Sequence, residues 1–193
     1  WPEPKVTWFT SGGLRGISSE EFKESTELAF SYWSSICGVV PSYSQNHKTA
    51  NIYLIGANLG GPGRVLADSE LPCGVKSNSD RQLRQRYDSE NWVISAEPTG
   101  NEIDLVRVIC HELGHALGSD HIASGNLLSP IYSKQIRRPQ AGDISEMVLR
   151  YGPPAAGGPE VPADRPSPDP GTVTFTINGN VSSAAISGWR CIR

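Results

Sequence analysis

Residues 111–121 read His111-Glu112-Leu113-Gly114-His115-Ala116-Leu117-Gly118-Ser119-Asp120-His121. On a helix, His111 and His115 stand one turn apart on one face, so both imidazoles can reach a single cation. Glu112 projects beside that cation and not into it, where a carboxylate can act as general base. Gly118 is a natural helix stop, and a glycine with φ > 0 lets the chain turn sharply. The turn brings His121 back as a third ligand. Three protein ligands leave one position of a tetrahedral Zn²⁺ open, which is the arrangement of a catalytic site. The chain contains four histidines, and three of them lie in this stretch. Random placement gives such a pattern on the order of once in a hundred thousand chains, so a chance set of core histidines is set aside.

The chemistry follows from these residue types. Zinc lowers the pKa of a bound water from about 15.7 towards roughly 7. Glu112 then takes the water proton and can pass it to a leaving amine, and the oxyanion is stabilised by the metal and local donors. A zinc-dependent endopeptidase acting through a zinc-activated water is the expected function. A noncatalytic adhesion or binding domain that kept its zinc is the alternative, and the presence of Glu112 argues against it. A precursor inhibited by its own C-terminal tail is a third reading.

Outward from this stretch, Asn101 is expected to open the helix that carries it, with Ile103, Val106, Ile109, Cys110, Leu113 and Leu117 as the apolar stripe. Ser18 with Glu21 three residues on forms a capping-box signal, and Phe22, Thr26, Ala29, Trp33 and Ile36 recur at helical spacing. A helix over 19–36 is therefore predicted, ended by Gly38 and Pro41. Asp143 with Glu146, followed by Met147, Val148 and Tyr151, signals a third helix that stops at Gly152-Pro153. Strands are expected over 4–10, 51–55, 64–69 and 91–96, with a turn at 59–63.

From Pro153 to Gly171 the chain contains seven prolines and no aromatic residue, the composition of a linker. Residues 172–177 and the Asn178-Gly179 pair read as a strand and turn. Residues 172–193 are too few to build their own core, so this tail is expected either to dock or to be the start of something longer. The expected organisation is a catalytic domain over 1–152, a linker over 153–171 and a β-like tail over 172–193.

Hydrophobic residues make up 37% of the chain and charged residues 19%, as in soluble globular proteins. The net charge of -3 and scattered basic residues give no reason to expect nucleic acid as a partner. No apolar run approaches the roughly 20 residues that span a bilayer. The even cysteine count (Cys37, Cys73, Cys110 and Cys191) is compatible with two disulfides of unknown pairing and a secreted or extracellular location. Cys110 should point about 100° away from His111, into the core. A monomer with protein or peptide substrates is expected.

The chain also resembles the metzincins, and among them the matrixins, over residues 1–152. The shared motif is H-E-x-x-H-x-x-G-x-x-H at 111–121. Asn126 to Tyr132 resembles the matrixin Met-turn, with Pro130 and Tyr132 in the positions that wall the S1′ pocket. Gly61 to Pro72 resembles the loop and edge strand along which substrate lies. The resemblance implies an α+β fold with a twisted, mostly parallel five-stranded sheet and three long helices. It implies one catalytic zinc on His111, His115 and His121, and Glu112 as catalytic base. It places Leu66, Ala67, Arg107, Pro130 and Tyr132 at the substrate. Arg107, one turn before His111, is expected to close the S1′ floor, the alternative being an arginine whose head reaches water.

Departures from the pattern carry expectations of their own. Leu128 stands where the Met-turn methionine belongs, and Ile122 follows the third histidine where matrixins usually have serine. Asp68 and Arg86 fall near two histidines of the family's structural zinc, and only His47 is left over, so that second zinc is expected to be absent. The family's calcium loops are poorly matched, with Asp88 and Glu90 the acidic residues left for a calcium site. No hemopexin-like domain is expected in the chain. Leu71 to Val75 has a superficial likeness to the matrixin cysteine switch. For Cys73, however, a disulfide is the preferred expectation over capping zinc.

Overall fold

The computed structural model describes residues 1–155; the expected linker beyond Ala155 and the β-like tail lie outside the described residues. A sheet of five strands forms the frame: β1 (Lys5–Ser11), β2 (Val40–Tyr43), β3 (Ile52–Gly56), β4 (Ala67–Ser69) and β5 (Leu83–Tyr87). Their order is β2-β1-β3-β5-β4. All neighbours run parallel except β4, which pairs antiparallel with β5 at the edge. The expected mostly parallel five-stranded sheet with three helices is therefore present.

Parallel neighbours need a crossover, and α1 (Ser19–Ser34) supplies it between β1 and β2. Its start is fixed by the expected capping box: Glu21 N–H donates to Ser18 Oγ at 3.2 Å, and Ser18 N–H donates to Glu21 Oε2 at 2.8 Å. Phe22, Ala29, Phe30 and Trp33 on its inner face are fully buried, the larger of them each worth about 1.5–3 kcal/mol of apolar transfer. Trp33 also donates its indole N–H to the Cys110 carbonyl at 2.9 Å. This links α1 to α2 (Leu105–Ala116), every residue of which is buried. A helix covered on all sides is a central one, and α2 carries His111, Glu112 and His115.

The second helix does not begin at Asn101. Ile103–Asp104 forms a short strand, β7, parallel to β6 (Trp92–Val93), and the helix starts at Leu105. The apolar stripe runs through Ile103 because that side chain is buried as a strand residue. The strand expected over 91–96 shrinks to Trp92–Val93, and the one over 64–69 to Ala67–Ser69. Strands β2 and β5 were not anticipated. Pro41 sits in β2, an edge strand, where a missing N–H is tolerated.

The third helix, α3, spans Ala141–Tyr151. Gly38 packs on its end: a Cβ there would lie 2.2 Å from the Tyr151 carbonyl oxygen, so only glycine allows this approach of α1's exit to α3.

Candidate metal centre and active site

The C-terminal end of α2 is shaped by Gly118, whose φ of 102° is open to glycine and strained for other residues. Gly118 N–H donates to the His115 carbonyl at 2.8 Å, and Ser119 N–H to the Gly114 carbonyl at 3.0 Å. The chain then turns back, and His111, His115 and His121 present ligand nitrogens within 4.8 Å of one another. The three residues named from the sequence as zinc ligands are thus brought together.

The hydrogen bonds around the rings decide what they can bind. His111 Nδ1 meets the Leu127 carbonyl at 2.7 Å, and His115 Nδ1 meets the Ser119 carbonyl at 2.8 Å. A carbonyl oxygen only accepts, so both Nδ1 atoms carry the proton and both Nε2 atoms are lone-pair acceptors. Those two Nε2 atoms face each other at 3.0 Å. Two lone pairs at that distance repel unless a metal ion or a proton lies between them. Two Zn–N bonds of roughly 2.0–2.1 Å at a tetrahedral angle would set them about 3.3 Å apart. Burial lowers the pKa of His111 well below its ordinary value and that of His115 to about 4, which keeps both imidazoles in the neutral, metal-binding form. The residues present therefore fit zinc.

Glu112 is fully buried, and neither carboxylate oxygen has a hydrogen-bond partner. Burial, and then the charge of Asp68, push its pKa well above the carboxylate range; a neighbouring cation acts in the opposite direction.

Beneath the histidines lies a support that the sequence reading missed. The Asp143 carboxylate, on the first turn of α3 and buried, accepts N–H bonds from Leu127 at 2.8 Å, Leu128 at 3.0 Å and Gln140 at 2.6 Å. The Leu127 carbonyl in turn accepts from His111. Leu128 is fully buried against Gly114, where an added Cβ would lie 2.5 Å from Leu128 Cδ2 and 3.0 Å from Trp33 Cζ2. Leucine thus fills the space under the α2 histidines where methionine was expected.

The substrate residues named from the sequence are disposed unequally. The Arg107 side chain is 1% exposed, which excludes the alternative of a head in water. Its guanidinium lies 4.4 Å over the Tyr132 ring and Nη1 donates to the Ser133 carbonyl, while Nε and Nη2 are buried without a partner. Burial lowers its pKa to about 10. Tyr132 Oη accepts the Asp104 N–H at 3.0 Å, fixing the loop after Leu128 to the start of α2. The side chains of Leu66 and Ala67 are fully buried in the core. Only their backbone, beside the open edge of β4, is left to meet a ligand. Pro130 is exposed.

Asp68 and Arg86 stand opposite each other across β4 and β5, joined through both guanidinium Nε and Nη2. Asp88 accepts the Gly61 N–H at 2.8 Å, and Glu90 accepts the Gly63 N–H at 3.0 Å. These acidic groups therefore pin the loop before β4 through protein donors. Cys37 and Cys110 are buried free thiols whose Sγ atoms face the Trp33 and Ala29 carbonyls, so the four cysteines do not form two disulfides. Cys110 points into the core as expected, its Sγ 3.8 Å from the Ala29 carbonyl.

The matrixin family model matches residues 1–152. This chain belongs to the matrixin family. Matrixins are zinc metalloendopeptidases, and two of the relatives are named metalloendoproteinases. Karilysin of Tannerella forsythia is 26% identical over 96% of this chain and 39% of its own length. Stromelysin-3 of Xenopus laevis is 30% identical over 87% of this chain and 35% of its own length. Metalloendoproteinase 1 of Glycine max is 28% identical over 53% of this chain and 35% of its own. The chain thus spans about two fifths or less of the length of these relatives. Among the described residues no helix is long and apolar enough to cross a membrane.

Proposed function

We propose that this matrixin is a secreted, monomeric endopeptidase that hydrolyses peptide bonds in proteins or peptides. His111, His115 and His121 hold a single zinc ion, and Glu112 is the general base. The observation that carries the reading is the pair of facing Nε2 acceptors on His111 and His115, next to the unpartnered buried carboxylate of Glu112. When bound, zinc would supply Lewis acidity towards a water and the scissile carbonyl. Glu112 accepts the proton of the attacking water and delivers it to the departing amine nitrogen. Its burial keeps bulk water from competing for that proton.

An extended substrate fits the open outer edge of β4, whose other edge is taken by β5. There backbone hydrogen bonds give affinity and side-chain pockets give choice. Pro130 and Tyr132 wall the pocket for the residue after the scissile bond (P1′), and Arg107 closes its floor. A small or medium apolar P1′ residue is favoured, because a bulky aromatic would have to displace a buried cation.

Peptide-library cleavage by the zinc-loaded chain tests the reading, with a chelator and Glu112→Ala as controls. Removing a general base should slow cleavage by about 10²–10⁴-fold, with zinc content unchanged. A folded, zinc-loaded chain that cleaves nothing in a diverse library would instead favour a noncatalytic binding domain.

A further inference from the structure

At the C-terminal end of α2 lies a groove of ≈ 330 Å³. It is lined by Trp1, Leu71, Pro72, Leu117, Arg150 and Tyr151, together with Gly118 and Cys73. None of the three histidines lines it. Trp1 donates its indole N–H to the Ala116 carbonyl at 2.8 Å, and Tyr151 Oη donates to the Leu117 carbonyl at 2.7 Å. These bonds satisfy the last carbonyls of α2 and leave the aromatic faces as groove wall. At the low end of the roughly 300–1,000 Å³ of ligand pockets, the groove suits one or two side chains of a peptide segment.

We propose that the C-terminal segment of this chain, residues 172–193, occupies this groove and is held there by a disulfide between Cys73 and Cys191. Elimination points to the pair. The chain has four cysteines. Cys37 and Cys110 are buried free thiols, with Sγ directed at the Trp33 and Ala29 carbonyls. Cys73 is not among the free thiols and lines the groove. Cys191 is the remaining partner. The path is short at its origin, because the described chain ends at Ala155, four residues beyond the Tyr151 that walls the groove. The segment itself offers Ile186, Trp189 and Ile192 around Cys191, apolar side chains of the kind the groove accepts and too few to form a core alone.

The bond forms by exchange with an external low-molecular-weight disulfide such as oxidised glutathione. The Cys73 and Cys191 thiols each lose one electron and one proton, and the oxidant departs as two thiols. The consequence for the site is mechanical. An added Cβ on Gly118 would meet Pro72 Cγ and Arg150 Nη1 in van der Waals contact, each at 3.5 Å, so the turn that delivers His121 borders the groove. A docked tail braces that turn, and none of the three histidines lines the groove it fills.

The test uses the full zinc-loaded chain carrying Glu112→Ala, so that self-cleavage does not remove the tail. Alkylation without reduction, followed by peptide mapping, should return one cross-linked peptide pair containing Cys73 and Cys191. Cys37 and Cys110 should be labelled only after unfolding. Alkylation of Cys191 in the native, unreduced chain, or its linkage to any other sulfur, overturns the tether. Hydrogen exchange then tests docking, with Cys191→Ser replacing thiol reductants that would compete for zinc. Amides of Leu117 to Ser119 should exchange at least about tenfold faster in the variant. Equal exchange in the two chains overturns the seating of the tail in the groove, whatever the peptidase activity proves to be.

Discussion

Asp143 and Leu127, sixteen residues apart in sequence, are joined by a 2.8 Å hydrogen bond from the Leu127 N–H to Asp143 Oδ2. The Leu127 carbonyl then fixes the tautomer and plane of His111. The first turn of α3 therefore acts on the candidate metal centre through a single residue, Leu127. Partners of this kind typically change metal affinity by about 10–100-fold when lost. In Asp143→Asn one acceptor oxygen remains for three N–H donors, and the amide NH₂ opposes at least one of them. Zinc affinity, measured by competition with a chromophoric chelator, should fall by about 10–100-fold. A lowered Tm with unchanged zinc affinity would reduce Asp143 to a scaffold role.

Gly114 and Leu128 make a second prediction. A Cβ at 114 collides with Leu128 Cδ2 at 2.5 Å and Cδ1 at 3.1 Å. Gly114→Ala should cost about 1–3 kcal/mol through overpacking, and Leu128→Ala about 2–5 kcal/mol through the cavity it leaves. Because the methyl added in one change enters the space vacated by the other, the double variant should cost less than the sum. Leu128→Met, near in volume, should cost under about 1.5 kcal/mol. Urea unfolding of these variants decides, and strict additivity would mean that the two residues do not share this space.

The Asp68–Arg86 pair leads to a third. It bridges β4 to β5 at the sheet edge, but the Arg86 side chain is about half exposed and the pair is screened by solvent. Asp68→Ala should therefore cost no more than about 1 kcal/mol, and less at high salt. With an ion pair at these two positions, metal analysis should return one zinc per chain. Two tightly held zinc ions would refute the assignment.

How far the sequence could be read follows from where each signal resides. The convergence of residues 111–121 was legible because a helix repeat and one glycine suffice to bring its three histidines together. The capping box of α1 was legible for the same local reason. Strand β5 was not, because its buried face mixes polar Gln85 with Leu83 and Tyr87 while Arg84 and Arg86 face outward, blurring the apolar alternation. The start of α2 was misplaced because Ile103 continues the helix's apolar stripe while its backbone pairs with β6. The role of Asp143 was hidden, since its donors come from a loop that only the tertiary fold brings near. In the sequence it read as a helix-start signal and nothing more.

Arg107 carries the last prediction. Its guanidinium is buried, stacked on Tyr132 and bonded to the Ser133 carbonyl, with two nitrogens left without partners. Desolvation is the largest influence on it and lowers its pKa to about 10. An incompletely paired buried cation is costly, and replacing buried charge by packed apolar groups is often neutral or stabilising by about 1–4 kcal/mol. Arg107→Leu should therefore unfold at an equal or higher denaturant concentration than the parent. If the side chain also closes the S1′ floor, the same change opens the pocket and removes its charge. Cleavage profiling should then move towards larger P1′ residues, chiefly through kcat/KM for bulky apolar side chains. A more stable variant with an unchanged P1′ profile would show that Arg107 serves the loop at Tyr132 and that pocket depth is set by other residues.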